Sequence, residues 1–344
     1  MFSTGHPDRG CFLKKASFSG LWPCRFPRLR HSIQGLFGMS FRIWTFLSTI
    51  AISIHLSLQG NPAFAQGYEY VGQGRLFSND LFGDGNDRWR TGAYSLSFLW
   101  DRAGLDRAQR RPGEVVELRL RSELITPESL TNPDPDDRRY AGMLSAGLHT
   151  HFRQQAVEGR LGLDLVVTGP QTRLDQLQTR THRLVGLPLP SDAVLDAQIA
   201  DGFHPTLSGD LAWQTRLSDN MRLRPFAEWQ IGVEWLVRVG ADMIIGDFGR
   251  EGFVFRDPSV GQLYTAGDSA RGLSLIAGAD AAYIGQSVLL PGDQLRQDRH
   301  RVRVGLSWRG KRARAFYGAT WLSPEFTRQS RTQIVGSVKL GFTF

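Results

Sequence analysis

A strict period of two runs through the closing residues, where Val338, Leu340, Phe342 and Phe344 alternate with Ser337, Lys339, Gly341 and Thr343. Side chains of an extended strand point alternately to opposite faces, so this spacing fits a strand with one apolar face and does not fit a helix. The same alternation sets Val116, Leu118 and Leu120 against Glu117, Arg119 and Arg121. It also sets Val302, Val304, Leu306 and Trp308 against Arg301, Arg303, Gly305 and Ser307. A soluble sandwich must cover its apolar faces, whereas a barrel in lipid turns them outward around a polar lumen. Period alone does not choose between the two, so the choice rests on an export signal and on the aromatic Phe344 that closes the last strand.

The export signal is read in the leading segment. Residues 1–65 hold seven Lys/Arg and one Asp, which is +6 of the formal net charge of +8. Met39-Ser-Phe-Arg42 gives a basic start, Ile43 to Leu58 an apolar core, and Ala63-Phe64-Ala65 a small-x-small cleavage site, the pattern of a Sec-type signal peptide over about 39–65. The apolar core is about 16 residues long and contains His55, short of the roughly 20 that a spanning helix needs. Residues 1–38 lack the pattern of a folded domain and read as an extension from an upstream start codon. Cys11 and Cys24 both fall in this leader, so a mature chain beginning at Gln66 has no thiol or disulfide. The remaining 34 basic and 32 acidic residues nearly balance and form no basic stripe, which argues against a nucleic-acid partner.

Beyond the leader no window reaches 18 continuous apolar residues, so membrane entry requires a closed sheet with every backbone group paired. Alternating windows predict one domain, residues 66–344, an all-β, antiparallel up-and-down transmembrane barrel of about twelve strands. The expected starts are near Tyr68, Gly92, Gly113, Ala141, Ala156, Pro205, Met221, Val233, Gly272, Arg299, Arg312 and Thr332. With both termini periplasmic, long outer loops fall at 76–91, 124–140, 168–204 and 285–298. Arg153 to Gln155, Ser218 to Asn220 and Arg309 to Lys311 make short inner turns. The stretch 246–271 breaks the pattern, being a long connection on the inner side.

Two polar clusters lie in the outer loops. In 168–204, Gly169-Pro170 precedes Thr172, read as an N-cap, and a helix of about three turns that ends at Gly186. Gln178 and His182 are four apart on it and share a face, with Asp175 a turn earlier. A neutral His beside an amide is suited to act as an oriented general base, although the same pair also suits a plain solvated face. The second cluster runs from Asn79-Asp80 through Asp84 to Asp87-Arg-Trp-Arg-Thr91-Gly92. Its carboxylates and amides suit a hard cation such as Ca2+, or equally a Gly/Asn/Asp-rich turn.

Taken together and in order, Asn79-Asp80, Asp87-Arg-Trp-Arg-Thr91-Gly, Asp137-Arg-Arg-Tyr140-Ala-Gly142 and Gly169-Pro170 with Gln178-x-x-x-His182 resemble the LpxR lipid A 3'-O-deacylase family. The resemblance covers nearly all of the chain beyond the leader and is weakest after about residue 246. It implies an integral outer-membrane esterase, expected as a monomer, that removes the 3'-acyloxyacyl group of lipid A in lipopolysaccharide with Ca2+. By the same resemblance His182 is the general base, Gln178 positions it, Asn79 and Asp80 form the calcium and oxyanion end, and Thr91 lines the site. Some family members carry a carboxylate six residues beyond the His, where this chain has Pro188. Arg138 or Arg139 is a further candidate, for a lipid A phosphate.

Two other readings remain open at this level. A phospholipase-type barrel would use Ser95 or Ser97 as nucleophile. A porin or adhesin would use Glu117, Arg119, Arg121, Arg301 and Arg303 only to line its lumen. No Gly-x-Ser-x-Gly elbow occurs, and the two lysines beyond the leader, Lys311 and Lys339, are both read as strand residues.

Overall fold

The alternating windows become strands that pair in sequence order. The computed structural model describes residues 67–102 and 109–342. The signal peptide, both cysteines, Gln66 and Phe344 lie outside the described residues. Twelve strands form the wall: β1 (Tyr68–Asn79), β2 (Trp89–Arg102), β3 (Gln109–Thr126), β4 (Ala141–Gln154), β5 (Val157–Thr168), β6 (Gly202–Trp213), β8 (Met221–Ile231), β9 (Glu234–Ile245), β12 (Gly272–Ser287), β13 (Asp298–Arg309), β14 (Ala313–Leu322) and β15 (Gln333–Phe342). A four-residue strand, β7 (Thr215–Ser218), adds to the start of β8. Neighbours pair antiparallel. The ring closes through β6–β8 on one side and β1–β15 on the other, where Ser78 meets Ser337 side chain to side chain at 2.7 Å. Every expected start falls within a few residues of an observed one. Lys311, placed by the sequence both in a short inner turn and on a strand, sits in the turn between β13 and β14.

Burial settles which face meets lipid. On β13, Val302, Val304, Leu306 and Trp308 are about half exposed, while Arg301 and Arg303 are buried. Leu161, Leu163 and Leu165 of β5 and Val237 and Val239 of β9 are exposed in the same way. An apolar face turned outward with charge inside is the inverse of a soluble sandwich and is what a lipid solvent requires.

The inner face is filled. Arg119 forks onto Glu117 at 2.7 and 2.8 Å, and His151 contacts the same carboxylate at 2.7 Å. Asp242 takes Arg256 and Arg303, and Asp280 takes Arg238, Arg301 and Arg303. The long 246–271 connection is a hairpin, β10 (Phe253–Arg256) with β11 (Leu263–Ala266), folded into the barrel. Its Phe253, Phe255, Leu263 and Tyr264 share one apolar cluster with Leu76, Leu99, Val115, Ile244, Ile276 and Phe316, inward residues of six wall strands. Gly74 of β1 leaves room for it, since a Cβ there would lie 3.0 Å from the Tyr264 ring. The hairpin thus plugs the lumen, which weighs against an open channel.

The plug also occupies the two serines of the phospholipase-type reading. Ser95 donates to Asp257 of the hairpin at 2.6 Å, and Ser97 donates to Glu117 at 2.6 Å and contacts the Tyr264 hydroxyl at 2.9 Å. Both are buried, and among the described residues neither hydroxyl contacts a histidine.

Candidate active site

The strands place six connections at the rim opposite the short turns, and those after β1 and β5 supply most of the site. β1 ends at Asn79, whose side-chain oxygen accepts the Leu81 N–H at 2.8 Å and so caps a single 3-10 turn, Asp80–Phe82. That cap turns Asp80 into the barrel, where it is 1% exposed. Its carboxylate accepts the Arg88 amide at 2.9 Å and the Thr91 hydroxyl at 3.1 Å. On re-entry the chain is irregular. Trp89 is left-handed at φ 52°, and the β2–β3 register shifts between Arg90 and Gly92, leaving Thr91 as a bulged residue. A bulge redirects one side chain, and here it directs Thr91 between Asp80 and Asp87, which its hydroxyl also reaches.

The other half comes from the loop between β5 and β6. Helix α1 (Leu174–Val185) ends at Gly186, left-handed at φ 76°, as the sequence predicts. Its start differs. Pro170–Thr172 forms a 3-10 turn, Arg173 is the left-handed N-cap, and Thr172 instead donates to the Gly169 carbonyl at 2.7 Å. Gln178 and His182 are the two residues that this helix buries. Gln178 accepts the Tyr140 hydroxyl at 2.9 Å and approaches Asp87 Oδ1 at 3.4 Å through its amide nitrogen.

His182 is held from both sides. Its Nδ1 is 2.6 Å from the Pro188 carbonyl oxygen. A carbonyl only accepts, so the ring proton sits on Nδ1, and in the neutral ring Nε2 is bare. That nitrogen lies 3.1 Å from Asp87 Oδ2. The oxygen is buried and has no other hydrogen-bond donor, so it is placed to receive a proton held on Nε2. The carboxylate that some family members place six residues after the His is replaced here by the backbone of Pro188.

Asp87, one carboxylate of the candidate cation cluster but given no role of its own from the sequence, joins Thr91, Gln178 and His182. Its spacing of four before Thr91, inside the quoted motif, was the available signal. Asp84, in contrast, turns away to accept the Asn86 and Ile334 amides. Tyr140 and Gln333 were also unforeseen. Gln333, from β15, donates to the Arg88 carbonyl at 2.6 Å and accepts the Arg90 amide at 3.2 Å, pinning the irregular backbone.

Electrostatics sets Asp80 apart. Burial pushes its carboxyl up to about 8, and the charges of Asp87 and Asp84 act in the same direction against the hydrogen bonds from Arg88 and Thr91. Burial, followed by the charges of Asp175 and Asp87, likewise raises the Tyr140 hydroxyl. The cations nearby are engaged elsewhere: Arg88 with Glu128 at 2.9 Å, and Arg90 with Glu325 and Glu123. Arg138, one of the two phosphate candidates, is buried against Glu325 at 2.7 Å and is not free for a ligand, while Arg139 is exposed.

A buried carboxylate disfavoured in its charged form (Asp80), a partly exposed one with a buried, unpartnered oxygen (Asp87) and a threonine hydroxyl are hard oxygen donors of the kind a divalent cation such as Ca2+ takes. Among the described residues no three His, Cys, Asp or Glu side chains converge on one point. Asp80, Asp87 and Thr91 are thus the rim residues that could contribute oxygen ligands to a cation.

The profile of the family described as outer membrane protein LpxR matches residues 49–344. The chain belongs to the LpxR family. With LpxR membership come the outer membrane as location and lipid A modification as the family's field of action. The LpxR structure from Salmonella typhimurium is similar in fold, with 17% identity and a TM-score of 0.63, covering 79% of this chain and 100% of that one. The translocator domain of the autotransporter NalP from Neisseria meningitidis has 10% identity and a TM-score of 0.38, covering 92% and 100%. No curated protein sequence matches the chain.

Proposed function

We propose that this LpxR family member is an outer-membrane esterase that hydrolyses the 3'-acyloxyacyl ester of lipid A, using His182 as general base and Ca2+ held by Asp80 and Asp87. The observation that carries the reading is the His182 ring, held at Nδ1 by the Pro188 carbonyl at 2.6 Å while Nε2 lies 3.1 Å from Asp87 Oδ2.

In this scheme Nε2 takes a proton from the attacking water, and the imidazolium so formed is stabilised by Asp87 beside it. Ca2+, when bound, offsets the negative charge that develops on the ester oxygen. Asp80, Asp87 and Thr91 are the residues that would hold it. Asn79 has its oxygen engaged by Leu81, so its amide nitrogen is the group left to donate to the developing oxyanion. Tyr140 orients Gln178, which in turn keeps Asp87 Oδ1 in place.

The test is mass spectrometry of lipid A from cells expressing the wild type or His182→Ala, extracted with and without added Ca2+. Loss of the 3'-acyloxyacyl mass is expected only with wild type and Ca2+. Unchanged lipid A in every arm, with folded barrel present in the membrane, would remove the esterase reading.

A further inference from the structure

Inward arginines of β13 follow one rule along most of the strand. Arg299 pairs with Glu234 at 3.0 Å, Arg301 with Asp280 at 2.9 Å, and Arg303 with both Asp242 and Asp280. Arg309 lies on the same face at the short-turn end, and its direct cross-strand partner is another cation, Arg314 of β14. Lys339 of β15 is opposite Phe316, which makes it the diagonal neighbour of Arg314 on that face. Gly341 stands directly opposite Arg314, and a Cβ there would lie 2.4 Å from Arg314 Nε, so the arginine stem rests over the glycine.

Like charges directly opposed in a sheet are destabilising. Among the described residues none of the three forms an ion pair, and Lys339 Nζ donates instead to the Thr265 carbonyl of the plug at 3.1 Å. The charges that weigh most on Lys339 are Arg314, Arg75 and Arg309, with Asp268 as the carboxylate beside them. Asp268 is already engaged, accepting the amides of Gly249, Glu251 and Ala270. Arg309, Arg314 and Lys339 line one cavity of about 40 Å³ between plug and wall, together with Arg271 and the amide-bound Asp268. A water needs roughly 10–15 Å³ on this measure, so the space holds a few water-sized groups or one tetrahedral oxyanion.

We infer that this cavity binds a small oxyanion of the phosphate class, at the end of the barrel opposite the candidate active site. Two guanidinium forks and an ammonium from three adjacent strands supply charge-assisted donors to several oxygens at once, which suits an oxyanion better than a halide. The ion relieves the Arg309–Arg314 repulsion and ties the plug to the strands that carry the three cations.

The test is isothermal titration of the full chain, folded in detergent, at constant ionic strength with a chelator present. Inorganic phosphate is the probe, and glycerol phosphate and chloride run in parallel. One phosphate per barrel is expected, with at least tenfold weaker binding in Arg314→Gln and in Lys339→Met and no competition from equimolar chloride. Equal binding of glycerol phosphate supports the site with a lipid headgroup as source, and preference for inorganic phosphate supports it with a free ion. Absence of uptake by the wild type, or equal uptake by the variants, overturns the assignment. Should Lys339→Met not fold, Arg309→Gln, at the strand end, carries the same tenfold expectation.

Discussion

Asp242 and Asp280, in the lumen, are ringed by four arginines, whereas at the loop rim the buried Asp80 and the partly exposed Asp87 meet amides, a hydroxyl and a histidine. Only the first pair meets arginine counter-charge within the chain. Lumenal ion pairs of this kind hold a plug against a wall and leave little chemistry available. The rim carboxylates keep an unmet demand for positive charge, and that demand is what a bound cation can answer. Glu325 lies between the two regions. Burial works against its charge, but Arg90, Arg299 and Arg138 outweigh burial and hold its carboxyl well below the usual range.

The largest effect expected of this contrast is at His182. His182→Ala removes the base while touching no lumenal pair, so turnover of a lipid A ester should fall by about 10²–10⁴-fold. Heat-modifiability on gels should remain that of the wild type. A comparable loss of folded barrel would mean that His182 is a structural residue of the rim.

Arg303→Met makes the opposite case. It leaves Asp242 and Asp280 each short of a partner, and breaking a buried pair costs about 3–5 kcal/mol. Urea unfolding in detergent should show that loss. Activity per folded barrel should be unchanged, because Arg303 touches no residue of the rim site. A specific loss of activity would show that the two regions are coupled.

The sequence carried the first of these regions further than the second. Strand starts were legible because lipid demands a strict period of two, as at Val302 to Trp308, and inward charge was legible for the same reason. The plug was not. Residues 246–271 hold only two four-residue strands, too short for periodicity, and their apolar residues pack against strands up to some two hundred positions away, beyond what local pattern records. At the rim, Gln178 and His182 were visible as one helix face. Asp87 was visible only as one carboxylate of a cluster that suited a cation or a turn, since its role depends on a bulge at Thr91 and on a helix almost a hundred residues downstream.

Asp80 gives a sharper form of the contrast. With the metal removed by chelator, Asp80→Asn should cost little stability or raise it, because a buried carboxylate without counter-charge is replaced by a neutral amide. Added Ca2+ should then raise the melting temperature of the wild type and not of the variant, by linkage between ligand and folded state. Calcium-dependent turnover should disappear with it. A variant that still responds to Ca2+ as the wild type does would place the cation elsewhere.

The smallest effect is expected at Tyr140, whose hydroxyl donates to Gln178 and touches none of the reacting groups. Tyr140→Phe removes that one donor and leaves the ring in its apolar cluster with Leu130 and Val194. A single neutral hydrogen bond contributes about 1 kcal/mol, so turnover should drop roughly fivefold. The reason is geometric: the Gln178 amide, freed on its oxygen side, no longer presents its nitrogen to Asp87 in one orientation. If Tyr140 acts only through Gln178, Gln178→Ala and the double variant should lose the same amount as each other. Additive losses would instead give Tyr140 a contact of its own with the substrate.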